Sequence, residues 1–251
     1  MRFGLRRRRR LSAPSETTVA TGFRVVDLLR RDEIDAMGAA ISETIDGVAK
    51  ALRTPYEDSA PEAGLFDRLE RVARRNSVYA TALLSAVYAD AHLDPRIAHL
   101  ADDPRLLAAI TQQCGPFEPR GATIRVRCSV PAIAKTLHGW HSDVAINTPV
   151  RADSTCHTVL GACWIPLRDV DPGNGSLEVV TTRLPAPLAH RRDTGSYVID
   201  GALLAGLPRE AISVRAGQAA VIDRFTPHRS LPNLSAQVRW SVVVWVKGIP
   251  A

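Results

Sequence analysis

The rhythm of apolar and polar positions changes near the middle of the chain. In the first half Ile34, Met37, Ile41, Ile45, Val48 and Leu52 recur every three or four residues, which puts them on one stripe of an α-helix. Asp32 is the expected N-cap, with Asp35 three residues on, and residues 23–26 read as a short strand before it. After a break at residues 55–61, Leu65, Leu69, Val72, Tyr79, Leu83, Val87 and Tyr88 continue the helical spacing. Asp103-Pro104 has the form of an N-cap followed by a first-turn proline, and opens a short helix through Leu106, Leu107 and Ile110 that ends near Gly115.

From residue 122 onward the period shortens. Residues 123–128 alternate apolar and polar side chains, the signature of a half-buried strand. Further strand-like runs occupy 159–166, 176–180, 219–222 and 238–246, with a strong turn signal at 169–175. The connection at 181–210, rich in Pro, Arg and Gly, has no readable course. Helices first and strands afterwards argue for an α+β chain, an antiparallel sandwich or barrel covered by N-terminal helices.

Composition narrows this picture. A chain of 251 residues, 45% of them apolar, is long enough for one sizeable core, so residues 19–251 are expected to form a single domain. Residues 1–18 carry the block Arg6 to Arg10 and read as a disordered basic leader. No apolar run approaches the roughly 20 residues that span a bilayer, and no nucleic-acid motif is present, so neither membrane nor nucleic acid is an expected partner. The cysteines Cys114, Cys128, Cys156 and Cys163 have irregular spacings unlike a secreted disulfide scaffold, which favours a cytoplasmic protein. The net charge of +6 comes from a set of 32 basic residues of which only Lys50, Lys135 and Lys247 are lysine, and it carries little functional weight. The oligomeric state is not readable.

The chemistry concentrates in two segments. His141 and Asp143 are two residues apart, so on an extended strand they point the same way. His228 follows the apolar run at 219–222, opens a turn before the run at 238–246, and is the best candidate for a third ligand. Two imidazoles and a carboxylate on one face of an ion form the ligand set of non-haem Fe(II) oxygenases. Ser230 lies two residues after His228, Asn233 follows, and Arg239 comes eleven residues after it. Arg239 begins a strand-like run, and its planar fork suits a carboxylate.

This ordered set resembles the phytanoyl-CoA dioxygenase family of Fe(II)- and 2-oxoglutarate-dependent oxygenases. The resemblance implies a double-stranded β-helix (jelly-roll, cupin-like) core, Fe(II), 2-oxoglutarate and O2 as cofactor and cosubstrates, and His141, Asp143 and His228 as metal ligands and catalytic centre. It further implies that Arg239 binds the distal carboxylate of 2-oxoglutarate with help from Ser230. A halogenase of this lineage would leave the carboxylate position open, and Asp143 fills it. Two departures are visible: residues 181–184 replace a Pro-Gly-Ser-His element, and Ser142 stands where glutamine is frequent. The expected substrate is a small metabolite, anionic or polar, in bacterial natural-product biosynthesis, hydroxylated by default and otherwise desaturated or cyclised. A non-catalytic jelly-roll binding protein is the alternative.

The remaining candidates have plainer readings. His138, three residues before His141, is expected on the opposite face of the strand. A zinc site from Cys156-His157, Cys163, His138 and His141 fits no common spacing. Trp164 and Trp245 read as core or pocket wall. Arg127, Arg151, Arg183 and Arg229 could rim a pocket for an anion but read individually as solvated surface.

Overall fold

β1 (Phe23–Asp27) leads into α1 (Arg31–Ala51), whose stripe of Ile34, Met37, Ile41 and Ile45 is buried together with Ala40 and Ala49, whereas Val48 is half-buried and Leu52, at the C-cap, is exposed. The computed structural model describes residues 21–52, 64–133, 136–144, 158–193 and 196–251. The expected leader at 1–18, the break at 55–61 and the loop at 145–157 lie outside them. The N-cap of α1 is Arg30 rather than Asp32: the Glu33 carboxylate accepts the Arg30 backbone N–H at 2.8 Å, which leaves Asp32 inside the first turn. α2 (Leu65–Arg75) and α3 (Ser77–Asp90) are two helices where the periodicity runs unbroken. Asn76 separates them, its Oδ1 accepting the N–H groups of Val78 and Tyr79 at 3.1 and 3.2 Å and so starting a new helix. After the one-turn α4 (Pro95–Ala98), α5 (Pro104–Cys114) begins as expected, with Asp103 capping the Arg105 N–H at 2.8 Å. It ends at Gly115, whose φ of 94° suits a residue without Cβ.

The strands are β2 (Phe117–Ser129), β3 (Thr158–Pro166), β4 (Leu177–Val180), β5 (His190–Asp193), β6 (Ser196–Ile199), β7 (Arg209–Ala211), β8 (Gln218–Asp223), β9 (His228–Ser230) and β10 (Arg239–Pro250). They form an antiparallel five-stranded sheet in the order β1-β8-β3-β10-β2, a three-stranded sheet β7-β4-β9, and the hairpin β5-β6. This is the jelly-roll core, with the helices on the outer face of the larger sheet. The unreadable connection at 181–210 holds β5, β6 and β7, of four, four and three residues. Strands this short and exposed show no hydrophobic period.

Period-two alternation on β10 divides the interior. Trp240, Val242, Val244 and Val246 pack against the helices with Ile41 and Leu83, whereas Val243 and Trp245 face the smaller sheet with Leu177, Val179, Ile212 and Val214. Each aliphatic side chain buried as fully as Ile41 or Leu83 contributes about 1.5–3 kcal/mol. Two bonds tie α2 to the entry of β10: Val238 N–H to the Phe66 carbonyl at 2.7 Å and Trp240 Nε1–H to the Leu65 carbonyl at 3.2 Å. The helical layer therefore fixes where Arg239 enters the sheet.

Candidate metal centre

His141 and His228, distant in sequence, are backbone partners. The N–H of each donates to the carbonyl of the other, at 3.0 and 2.9 Å. The extended segment expected through Asp143 stops at His141, and Asp143 begins a helical turn. Asp143 joins the histidines through that turn rather than through strand alternation.

Each imidazole is oriented by a carbonyl two residues earlier in the chain. His141 Nδ1 lies 2.7 Å from the Gly139 oxygen and His228 Nδ1 3.1 Å from that of Thr226. A carbonyl oxygen can only accept, so each Nδ1 carries the proton and each neutral ring keeps its Nε2 lone pair. Burial, with His228 alongside, holds His141 well below the ordinary histidine value, which keeps the ring neutral. The two Nε2 atoms stand 4.0 and 3.9 Å from Asp143 Oδ1, and the three ligand atoms lie within 4.8 Å of one another. An ion with bonds of about 2.1 Å spans up to about 4.2 Å between donors, so both separations fall inside its reach. Two neutral nitrogens and one buried carboxylate suit a divalent cation with open positions. A second set, Glu33, His99 and Asp103, does not: Arg105 occupies both carboxylates at 2.7 and 2.6 Å.

The triad opens on a cavity of about 60 Å3 whose lining includes Ser230, Arg239, Trp164, Trp245 and Cys128. Arg239 is 3% exposed. Its Nε donates to the Gly175 carbonyl and its Nη1 to Ser241 Oγ, both at 2.9 Å, and its guanidinium lies 5.4 Å from the Trp164 ring centre. Desolvation pulls its pKa down to about 10, and among the described residues no carboxylate pairs with it. Gly175, at φ 89°, can place its carbonyl there because it has no Cβ, which would lie 3.0 Å from Asn233 Cβ. Asn233 staples the preceding turn, its Nδ2 donating to the carbonyls of Ser129 and Gln237 at 3.0 and 2.8 Å. Its place in the motif is thus structural support for Arg239.

Several expectations change at this site. His138 lines the same cavity as His141, with ring centres 6.0 Å apart, because the backbone before His141 is not a strand. Its pKa falls to about 4, chiefly through burial. Arg127 also lines the cavity and is half-buried rather than solvated. Arg183 and Arg229 are engaged by Asp223 and Glu178 at 3.2 and 2.6 Å, and Arg151 lies outside the described residues. Trp164 and Trp245 are pocket wall, as expected. Cys163 is buried on the helix side of β3, away from the cavity, and Cys156-His157 lies outside the described residues. His190 escaped sequence reasoning: its Nδ1 bonds the Leu188 carbonyl at 2.8 Å, which frees Nε2 to accept the Ser142 N–H at 3.0 Å. It thereby holds the turn between His141 and Asp143. It lies in the connection that showed no period, and its only signal was being a histidine.

Fold and site together define a non-haem iron oxygenase of the 2-oxoglutarate-dependent class. The family model for phytanoyl-CoA dioxygenase (PhyH) matches residues 22–241, and the chain belongs to that family. No curated protein matches the chain. Among solved structures it is similar to the nickel complex of the non-haem monooxygenase ThoJ, at 15% identity and TM-score 0.56, covering 91% of this chain and 74% of that one. It is similar to SnoK, the α-ketoglutarate-dependent carbocyclase from nogalamycin biosynthesis, at 18% identity and TM-score 0.55, covering 91% and 80%. It is similar also to EctD from S. alaskensis with 2-oxoglutarate and 5-hydroxyectoine, at 17% identity and TM-score 0.55, covering 91% and 73%. At these identities the likeness is one of fold. No helix among the described residues is long and apolar enough to cross a membrane.

Proposed function

We propose that His141, Asp143 and His228 hold Fe(II), that Arg239 with Ser230 binds the distal carboxylate of 2-oxoglutarate, and that the enzyme hydroxylates, desaturates or cyclises a small polar or anionic metabolite in natural-product biosynthesis. The observation that carries this reading is Arg239, a buried cation sharing one cavity with the triad and lacking a carboxylate among the described residues. Burying a charge without a counter-ion is costly, and a bound dicarboxylate supplies the partner. A non-catalytic protein that binds no anion in this cavity would leave that cost unexplained.

Iron with 2-oxoglutarate and O2 supplies the oxidising power, releasing succinate and CO2. The chain contributes position. The paired backbone of His141 and His228 and the two carbonyl-bound Nδ1–H groups fix both Nε2 lone pairs on one side of Asp143. Arg239, held by Gly175 and Ser241, presents its remaining N–H groups as a fixed fork, with Trp164 against its face. Apolar Val243, Ala162 and Ile222 complete the lining and exclude water around the reacting groups. That SnoK belongs to nogalamycin biosynthesis and that EctD was solved with 5-hydroxyectoine support a small-molecule substrate.

The test is anaerobic addition of Fe(II) and 2-oxoglutarate, read as a visible charge-transfer band, followed by substrate-stimulated succinate release across acids, phosphates, thioesters and neutral scaffolds. A band in wild type that is lost in His228→Ala is expected. A His228→Ala protein that turns over 2-oxoglutarate at the wild-type rate would refute the ligand assignment.

A further inference from the structure

A second cavity, of about 230 Å3, adjoins the metal cavity and is floored by α3. Arg127, Thr136 and His138 line both cavities and so form the wall between them. The volumes matter, because the chamber at the triad, about 60 Å3, is the one Arg239 commits to the cosubstrate. The body of a second reactant has its room on the α3 side.

The lining of that chamber is uneven in hydrogen-bonding capacity. Thr81 and Ser85 already donate their hydroxyls to helix carbonyls, at 2.7 and 2.9 Å, and Thr136 donates to the Ile133 carbonyl at 2.8 Å. They retain acceptor capacity only. Leu84 and Ile133 are apolar. Tyr88 engages its hydroxyl with Cys128 Sγ at 3.0 Å, and neutral His138 offers one ring N–H. The charged donor is therefore Arg127, whose guanidinium lies 5.8 Å from the Tyr88 ring centre and 5.9 Å from that of Trp245. Among the described residues no carboxylate pairs with it. On the metal-cavity side of Arg127, the Trp245 Nε1–H is buried and has no acceptor among the described residues. An indole N–H can only donate, and a buried donor without a partner costs about 1–3 kcal/mol. A half-buried guanidinium that lines the chamber with no carboxylate beside it among the described residues suits an anionic acceptor.

Resting on the Fe(II)/2-oxoglutarate reading of the neighbouring cavity, we propose that Arg127 is the specificity-determining residue for the prime substrate, an amphiphilic molecule with one carboxylate- or phosphate-type group that docks on Arg127 while its less polar, hydroxyl-bearing body lies along α3. Arg239 and Arg127 thus divide the anions: the deeper cation takes the cosubstrate and the outer one takes the substrate. The cation–π contacts with Tyr88 and Trp245 hold the guanidinium plane in place without neutralising its charge.

The test uses the full chain, anaerobic, with Fe(II) and saturating 2-oxoglutarate. Matched probes of six to twelve carbons (carboxylates, alkyl phosphates and the alcohols of the same length) are titrated by calorimetry and tryptophan fluorescence. Wild type should bind one of the anionic series about 10- to 100-fold more tightly than the alcohols, the range expected for a charged hydrogen bond. Which series wins separates carboxylate from phosphate. Arg127→Gln should remove that preference and Arg127→Lys should keep part of it. Ser85→Phe, which narrows the chamber from an exposed position of α3, should weaken anionic and neutral probes alike, and this covers the case in which Arg127→Gln fails to fold. Equal binding of anions and alcohols by wild type, including none of either, overturns the proposal. So does a larger loss for 2-oxoglutarate than for the anionic probe in Arg127→Gln, or unchanged binding of all probes in Ser85→Phe. The charge-transfer band is read in parallel. A missing band with an intact, Arg127-dependent anion preference would fault the metal assignment and leave this proposal standing.

Discussion

Replacing Arg239 by Met separates the burden of burying a charge from the use made of it. The side chain is 3% exposed, and burial lowers its pKa from 12.5 to about 10. For a cation, a lowered folded-state pKa means that the charged form is disfavoured by folding. The penalty is present in full at neutral pH and is relieved only as pH rises through about 10. At 1.36 kcal/mol per pKa step it comes to about 3 kcal/mol. Methionine removes the charge and keeps much of the length, but leaves the Gly175 carbonyl and Ser241 without their donor, at about 1–3 kcal/mol. The two effects oppose, and in a chain of this size about 1 kcal/mol moves Tm by about 2–4 °C. Cosubstrate-free Arg239→Met should therefore melt within a few degrees of wild type, or slightly above it. Binding behaves differently. At a 2-oxoglutarate concentration 100 times Kd, wild type gains about 2.7 kcal/mol of stability. A 10- to 100-fold weaker variant gains about 0.4–1.4 kcal/mol at the same concentration by the same relation. Differential scanning calorimetry with Fe(II), with and without 2-oxoglutarate, reads both quantities. A variant stabilised by 2-oxoglutarate as strongly as wild type would refute the role of Arg239. One that loses more than about 3 kcal/mol without cosubstrate would show instead that Arg239 is chiefly structural.

Three further outcomes follow from the same geometry. Gly175→Ala puts a Cβ at φ 89° and 3.0 Å from Asn233; it should cost about 1–3 kcal/mol in urea denaturation and weaken 2-oxoglutarate binding, because the Gly175 carbonyl orients Arg239. His228→Ala should cut bound iron, measured by metal analysis after desalting, to a small fraction of wild type, and iron retention at one per chain would count against the triad. Glu33 is held down at about 2 by its hydrogen bonds with Arg105. A lowered acid pKa gives stability that is present above the ordinary value of 4.5 and lost as pH falls through about 2. The stability advantage of wild type over Glu33→Gln should thus shrink across that window in denaturation curves, and a constant difference would show that the ion pair contributes nothing.

The legible parts of the fold were those where one interaction dominates over many residues. The stripe of α1 and the Asp103-Pro104 start of α5 needed no distant partner, and β10 announced itself through a long apolar run. The illegible parts depend on such partners. Asn76 splits a periodic segment because its side chain caps α3, an event the spacing of Leu69 and Leu83 does not register. The strands of the 181–210 connection are three or four residues long and mostly exposed, so tertiary pairing alone makes them strands. The set His141, Asp143, His228, Ser230 and Arg239 could be picked out as a group because its order resembles the family motif, and the structure brings all five to the lining of one cavity. The path of the backbone was not legible: assuming a strand through Asp143 sent His138 to the wrong face. His190 had no local signal, since its role is to accept a backbone N–H from a segment far away in sequence.

The two faces of β10 carry a consequence for how this pocket can change. Trp240, Val242, Val244 and Val246 belong to the helix-facing core, while Arg239, Val243 and Trp245 line the metal cavity. One strand thus interleaves two independent sets of positions, one answering to folding and the other to ligands. Substitutions at Val243 or Trp245 can reshape the chamber while the larger core keeps its packing. A lineage can drift in what it accepts without re-solving how it folds, and a library confined to the odd-numbered positions 243 and 245 and to the opposing Leu177 would sample new substrates on a scaffold whose helix layer remains a constant.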